Sequence, residues 1–167
     1  MPSEIRHRYL IALGSNVRHA RYGAPREVLR AALAGLEDEG LSVVATAPLI
    51  ASAPLGPSRR RYANGAALID TTLEPDALLA LLKRIERRFG RRTGGKRWRA
   101  RVLDLDVILW SGGMWGTPGL VVPHASFRER GFVLRPAAAL APDWRDPVSG
   151  LTLHQLRARL TRPRPLP

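Results

Sequence analysis

Apolar positions along this chain fall into short extended runs separated by two helical stripes. Tyr9 to Leu13 is an apolar run closed at once by Gly14-Ser15-Asn16, which predicts a central strand ending in a tight turn. From Pro25, a good first-turn residue, the spacing becomes helical: Val28, Leu29, Ala32, Leu33 and Leu36 form one stripe that ends at Glu39-Gly40. Leu41 to Ala47 predicts a second strand, broken or bulged at Pro48 before Leu49 to Ser52 resume. Tyr62 to Asp70 predicts a third, with Tyr62, Asn64, Ala66 and Leu68 on one face. A second helix opens at Pro75, buries Leu78, Leu81, Leu82, Ile85 and Phe89, and is closed by Gly90 at the C-terminal cap.

After that cap the pattern changes character. The window from Lys83 to Arg101 carries ten Lys or Arg residues and a single acid, Glu86. It leads into an apolar strand interrupted by Asp104 and Asp106. Residues two apart in a strand share a face, their Cα atoms roughly 6.6 Å apart, so both carboxylates point away from Leu103, Leu105 and Val107. Two acids on one face of a buried strand are costly unless something positive neutralises them. The upstream arginines are one candidate and divalent metal is the other; Mg²⁺ takes carboxylates together with substrate phosphates. Two acids for metal beside a cluster of arginines for phosphate oxygens point to nucleotide polyphosphate chemistry.

The remainder is shorter-grained. Met114 to Trp115 predicts a short strand, Phe127 to Arg130 a short helix, Phe132 to Leu134 an extended piece and Arg135 to Ala141 a helix. Thr152 caps a last helix, Leu153 to Leu160, with Leu153, Leu156 and Leu160 inward. The order strand, helix, strand, strand, helix, strand is the β-α-β-β-α-β signature of an α+β, ferredoxin-like sheet with helices on one face, here followed by a C-terminal helical extension. Residues 1–160 read as one domain and 161–167 as a disordered Pro/Arg tail.

Composition narrows the classes. Hydrophobic residues at 45% and charged residues at 25% suit a soluble globular protein, and no run approaches the ~18 apolar residues of a membrane span. The polar N-terminus is not expected to be a signal peptide, and the lack of cysteine excludes disulfides and thiolate chemistry, which fits the cytoplasm. A net charge of +13 calls for an anionic partner or substrate, or is a basic surface with no special role. Aromatics make up 6% and form no stacking platform, so a basic RNA-binding module without catalysis is the alternative reading rather than the leading one. Three polar residues stay open: Asn64 must find backbone or ligand partners, Glu86 either balances arginines or reaches a ligand, and His124 alone carries no assignment.

Four motifs in order carry a family resemblance from Tyr9 to Leu156: A-L-G-S-N; S-A-P-L-G-P followed by Y-A-N; R-W-R-A-R-V-L-D-L-D; and V-P-H-A-S-F-R-E-R-G-F-V-L-R-P-A. The chain resembles the 6-hydroxymethyl-7,8-dihydropterin pyrophosphokinases of folate biosynthesis. The resemblance implies that pyrophosphate passes from ATP, as co-substrate, to the hydroxymethyl oxygen of the pterin, with release of AMP. It places two Mg²⁺ on Asp104 and Asp106, and phosphate contacts on Arg91, Arg101, His124 and Arg130. Arg97 and Trp98 match a closing loop, and Tyr62 and Phe132 the aromatics that stack on the pterin. Asn64 matches the side chain on the pterin edge, backbone around Ser52 to Leu55 completes that recognition, and Glu86 matches a glutamate close to the site. The implied partners are two small molecules bound by a monomer, with neither nucleic acid nor membrane. Departures from the family pattern fall at Arg59-Arg60-Arg61, Thr93, Arg99, Gly119 and Ala125, none of them a metal carboxylate. The loop Arg91 to Arg99 is expected to act as a lid that excludes water.

Overall fold

The structure, a computed structural model, describes residues 3–52, 62–90 and 102–166. Its centre is β1 (His7–Ser15), longer at both ends than its apolar run because the polar flanks continue the hydrogen-bonded ladder. In chain order there follow α1 (Pro25–Asp38), β2 (Ser42–Thr46), β3 (Ile50–Ser52), β4 (Tyr62–Thr71), α2 (Pro75–Arg88) and β5 (Asp104–Trp110). Then come β6 (Trp115–Thr117), β7 (Leu120–Val122), a 3-10 turn at Phe127–Glu129, α3 (Gly131–Leu140) and α4 (Leu153–Thr161). The main sheet runs β2-β4-β1-β5, with β3 also paired to β4, and every pairing is antiparallel. The architecture is α+β, an antiparallel sheet with four α-helices among the described residues.

Both long helices start at the prolines that favour a first turn, and both end just before a glycine with positive φ, Gly40 at 84° and Gly90 at 94°. Their stripes pack on one face of the sheet, where Val28, Leu29, Leu36, Leu78, Leu82 and Ile85 meet Tyr9, Ile11, Leu103, Leu105 and Val107. The other face is covered too, which the β-α-β-β-α-β reading did not include. There Leu10, Ala66, Ile108 and Leu109 pack against Phe127, Leu134, Ala137, Leu153 and Leu156. A bulge in β5 makes this possible: the register passes from Leu10↔Leu109 to Ile11↔Val107, and the extra residue, Ile108, joins Leu109 on the second face.

Three local readings are corrected. Phe132 to Leu134 is helical, because α3 begins at Gly131 and holds Pro136 inside it; a proline normally favoured in the first turn here sits mid-helix. Leu160 is 41% exposed rather than inward. The segment after Trp115 is a hairpin, since β6 pairs with β7 and is tied to α2 by Trp115 and Thr117 side chains donating to Asp76. No helix among the described residues is long and apolar enough to cross a membrane.

Candidate active site

Strand register decides where the chemistry sits. Gly14 of β1 lies opposite Asn64 of β4 on one side and Asp104 of β5 on the other; Ala12 likewise lies between Ala66 and Asp106. Asn64, Gly14 and Asp104 therefore form one row across three strands, spanning roughly 10 Å at two inter-strand spacings. Because Leu103, Leu105 and Val107 commit the opposite face of β5 to the α1/α2 core, both aspartates project on the α3 side. β1 puts nothing larger than a methyl group between the amide and the carboxylates. Tyr62, two residues before Asn64, shares its face, and its backbone pairs with Ser52.

Further along, the same face is closed by α3 and α4, and two of the expected residues come from the segment leading into α3. The His124 N–H donates to the Ile108 carbonyl at 3.0 Å, which fixes the histidine beside β5. Its Nδ1 accepts the Ser126 N–H at 3.2 Å, so in the neutral ring the proton resides on Nε2, which is left as a donor. Arg130 directly precedes α3, its guanidinium 5.9 Å from the centroid of Phe132.

Electrostatics binds these groups into one site. Burial, then the neighbouring Asp104, push the Asp106 carboxyl up to about 6; Glu86 adds to the rise while Lys83 and Arg130 oppose it. Burial, then Arg130, hold the His124 imidazole below its ordinary range, with Asp104 pulling the other way. Asp106 makes no hydrogen bond or ion pair among the described residues, although both Lys83 and Arg130 are near enough to be felt. A half-buried carboxylate in that condition is short of a cation.

Glu86 lies against the strand that carries the two aspartates. It is fully buried beneath β5, and its Oε1 accepts the N–H of Leu105, the residue between the two aspartates, at 2.8 Å. Among the described residues β5 is an edge strand, and Glu86 satisfies a backbone donor that no described strand reaches. The structure thus brings together Asp104, Asp106, His124 and Arg130, aligns Asn64 and Tyr62 with them across the sheet, and sets Phe132 beside Arg130. Leu55, Arg91, Arg97, Trp98 and Arg101, the side chain of Ser52 and the lid segment lie outside the described residues. Lys83 was not singled out from sequence; its signal there is the i,i+3 spacing to the one acid in the basic window.

A family model described as 7,8-dihydro-6-hydroxymethylpterin-pyrophosphokinase matches residues 10–142. A Pseudomonas aeruginosa protein named 2-amino-4-hydroxy-6-hydroxymethyldihydropteridine pyrophosphokinase is 44% identical over 142 residues, 84% of either chain. Proteins of the same name from Synechocystis and Methylorubrum extorquens are each 36% identical, covering 90% and 92% of this chain and 74% and 93% of the relative. Among solved structures, Plasmodium falciparum HPPK-DHPS wild type aligns with a TM-score of 0.72 over 95% of this chain at 11% identity, a likeness of fold alone. The chain spans 45% of the length of that protein.

Proposed function

The chain belongs to the 7,8-dihydro-6-hydroxymethylpterin-pyrophosphokinase family, and from that premise we propose how its sheet face carries out the reaction. The protein is an ATP-dependent pyrophosphokinase of folate biosynthesis. The hydroxymethyl oxygen of the pterin attacks the β-phosphorus of ATP, the new O–P bond forms as the bond from that phosphorus to the α–β bridging oxygen breaks, and AMP leaves with that oxygen. The relatives are pyrophosphokinases, and nothing in them supports an RNA-binding module. The observation that carries the site assignment is Asp106: half-buried, beside a second carboxylate, and without a hydrogen-bond or ion-pair partner among the described residues.

That donor set fits a hard divalent cation, which takes carboxylate oxygens and phosphates. Asp104 and Asp106 would hold Mg²⁺, two ions by the family resemblance. Such an ion would supply neutralisation of polyphosphate charge and polarisation of phosphoryl oxygens. The remaining work belongs to the chain's own groups. His124, kept neutral by its lowered pKa, offers its Nε2–H to a phosphate oxygen, and Arg130 supplies a fixed positive charge on the same side. Asn64 pairs with the edge of the pterin at the far end of the row, with Tyr62 and Phe132 as its stacking partners. The heterocycle then lies across β1 over Gly14, its hydroxymethyl end directed to the aspartates. The Glu86 carboxylate keeps the aspartate strand in place from behind. We read the strand order β2-β4-β1-β5, with α1 and α2 as the crossovers, as the ferredoxin-like arrangement, and we place the protein in the cytoplasm as a monomer.

The test mixes the protein with ATP, Mg²⁺ and 6-hydroxymethyl-7,8-dihydropterin and measures AMP. AMP released in proportion to pterin is the expected result, lost in Asp104→Ala and in Asp106→Ala with circular dichroism unchanged. AMP release that survives both substitutions would remove the aspartates from the mechanism.

A further inference from the structure

One cation near the carboxylates belongs to none of the family motifs. Lys83 lies one helical turn before Glu86 on α2, its Nζ 3.4 Å from Glu86 Oε2. The other oxygen of the same carboxylate accepts the Leu105 N–H between Asp104 and Asp106. A single buried acid therefore links the lysine of α2 to the backbone of the aspartate strand. Ordinary i,i+3 ion pairs join two solvated side chains and contribute little. This pair is unequal: the Glu86 side chain is 1% exposed and that of Lys83 is 39% exposed. The acid is fixed inside, and the ammonium stands at the rim of β5.

At 3.4 Å the contact is loose and occupies at most one of the three ammonium donors. Lys83 lies on α2, which packs on one face of the sheet, and Arg130 directly precedes α3, which packs on the other. Both charges are felt at Asp106, yet neither side chain forms an ion pair with it. A polyphosphate anion at the edge of β5 would meet both cations. We propose that Lys83 is a phosphate-binding residue of this site, set by Glu86 at the outer edge of β5 to meet the polyphosphate of the bound nucleotide. The inference rests on the pyrophosphokinase reading and adds a residue to it.

Lys83→Met keeps most of the aliphatic stem and removes the charge. Affinity for a non-hydrolysable α,β-methylene ATP analogue with Mg²⁺ is expected to fall roughly tenfold, the scale of one charge-assisted hydrogen bond. Affinity for AMP, which lacks the β- and γ-phosphates, is expected to stay at the wild-type value, and Lys83→Arg to recover most of the loss. Should Lys83→Met destabilise the fold through loss of its ion pair with Glu86, the double variant Lys83→Met/Glu86→Gln keeps an acceptor for Leu105 N–H and is expected to show the same split. Wild-type affinity for the analogue in these variants would overturn the proposal and reduce Lys83 to a counter-charge for Glu86. An equal loss for AMP would overturn the polyphosphate assignment. A wild-type chain that neither bound the analogue nor released AMP would sink the pyrophosphokinase reading itself, and this inference with it.

Discussion

Two carboxylates on the α3 side of the sheet titrate in opposite directions. Asp146, in the turn before α4, is 0% exposed, and burial alone would raise its pKa. Instead it accepts two hydrogen bonds from Arg128, Nε at 2.6 Å and Nη2 at 2.7 Å, one from Ser149 Oγ at 2.6 Å, and backbone N–H groups of Val148 and Ser149. Those partners outweigh burial and hold the carboxyl at about 2. Asp106 has a second acid for a neighbour and no hydrogen bond among the described residues, and it sits at about 6. Loss of water raises both; the difference is whether the fold supplies donors. Where it does, the charge stabilises the chain. Where it does not, the charged form costs the native state free energy.

The sharpest way to break this comparison is to neutralise Asp106. Asp106→Asn should lower AMP formation by a factor on the order of 10²–10³ or more, the scale for losing a preorganised charge-stabilising group. The same substitution should stabilise the fold. From the ordinary 3.8 to about 6, at about 1.36 kcal/mol per decade, the ionised group costs the native state at most about 3 kcal/mol, and partial exposure reduces this to about 2 kcal/mol. Urea unfolding at pH 7 measures it. An Asp106→Asn variant less stable than wild type would show that the carboxylate has partners after all, and the contrast with Asp146 would fail.

Asp146→Ala should act the other way round. It leaves Arg128, whose side chain is 27% exposed, without its bidentate partner and frees the turn that Asp146 organises, a loss of about 3 kcal/mol. Molecules that remain folded should turn over at the wild-type rate. Acid titration sharpens the pair further. Asp146, with its pKa depressed to about 2, contributes stability that is complete above pH 4 and lost as pH falls toward 2. Asp106, with its pKa raised, destabilises the native state above about pH 6, so stability should rise as pH falls from 6 to 4 in the metal-free protein. Unfolding curves of wild type and Asp106→Asn should converge below pH 4 and separate above pH 6.

How much of this the sequence showed depends on the range of the interaction. Asp104 and Asp106 were readable as a facing pair because period two is local, and the stripes of α1 and α2 were readable for the same reason. The cap at Thr152 was also local, and the structure adds its reciprocal bond with Gln155. Placing Asn64 opposite Asp104 through Gly14 was out of reach, since register joins residues about 40 apart and no spacing rule supplies it. The role of Glu86 needed the knowledge that β5 is an edge strand with an amide to satisfy. Arg128 and Asp146, 18 residues apart across α3, left no sequence signal. The start of α3 at Gly131, four residues before the predicted helix, was not readable either, and Pro136 stands at its sixth position against the residue's usual preference.

The smallest expected effect completes the series with a third carboxylate. Asp70, on β4, also meets an arginine in two-point contact, Arg8 Nε at 2.7 Å and Nη2 at 2.9 Å, and its pKa is likewise lowered by that hydrogen bond. Geometry alone would rank it with Asp146. Exposure separates them, because the Arg8 side chain is 46% and the Asp70 side chain 24% exposed, so water competes for both ions and salt screens them. Asp70→Asn should therefore cost only about 0.5 kcal/mol in urea unfolding at low ionic strength, and less at 1 M salt. The Asp146 loss should persist at high salt, its partners being shielded from solvent. A salt-independent loss at Asp70 as large as that at Asp146 would mean that the number of hydrogen bonds, and not their shelter from water, sets what a carboxylate contributes to this fold.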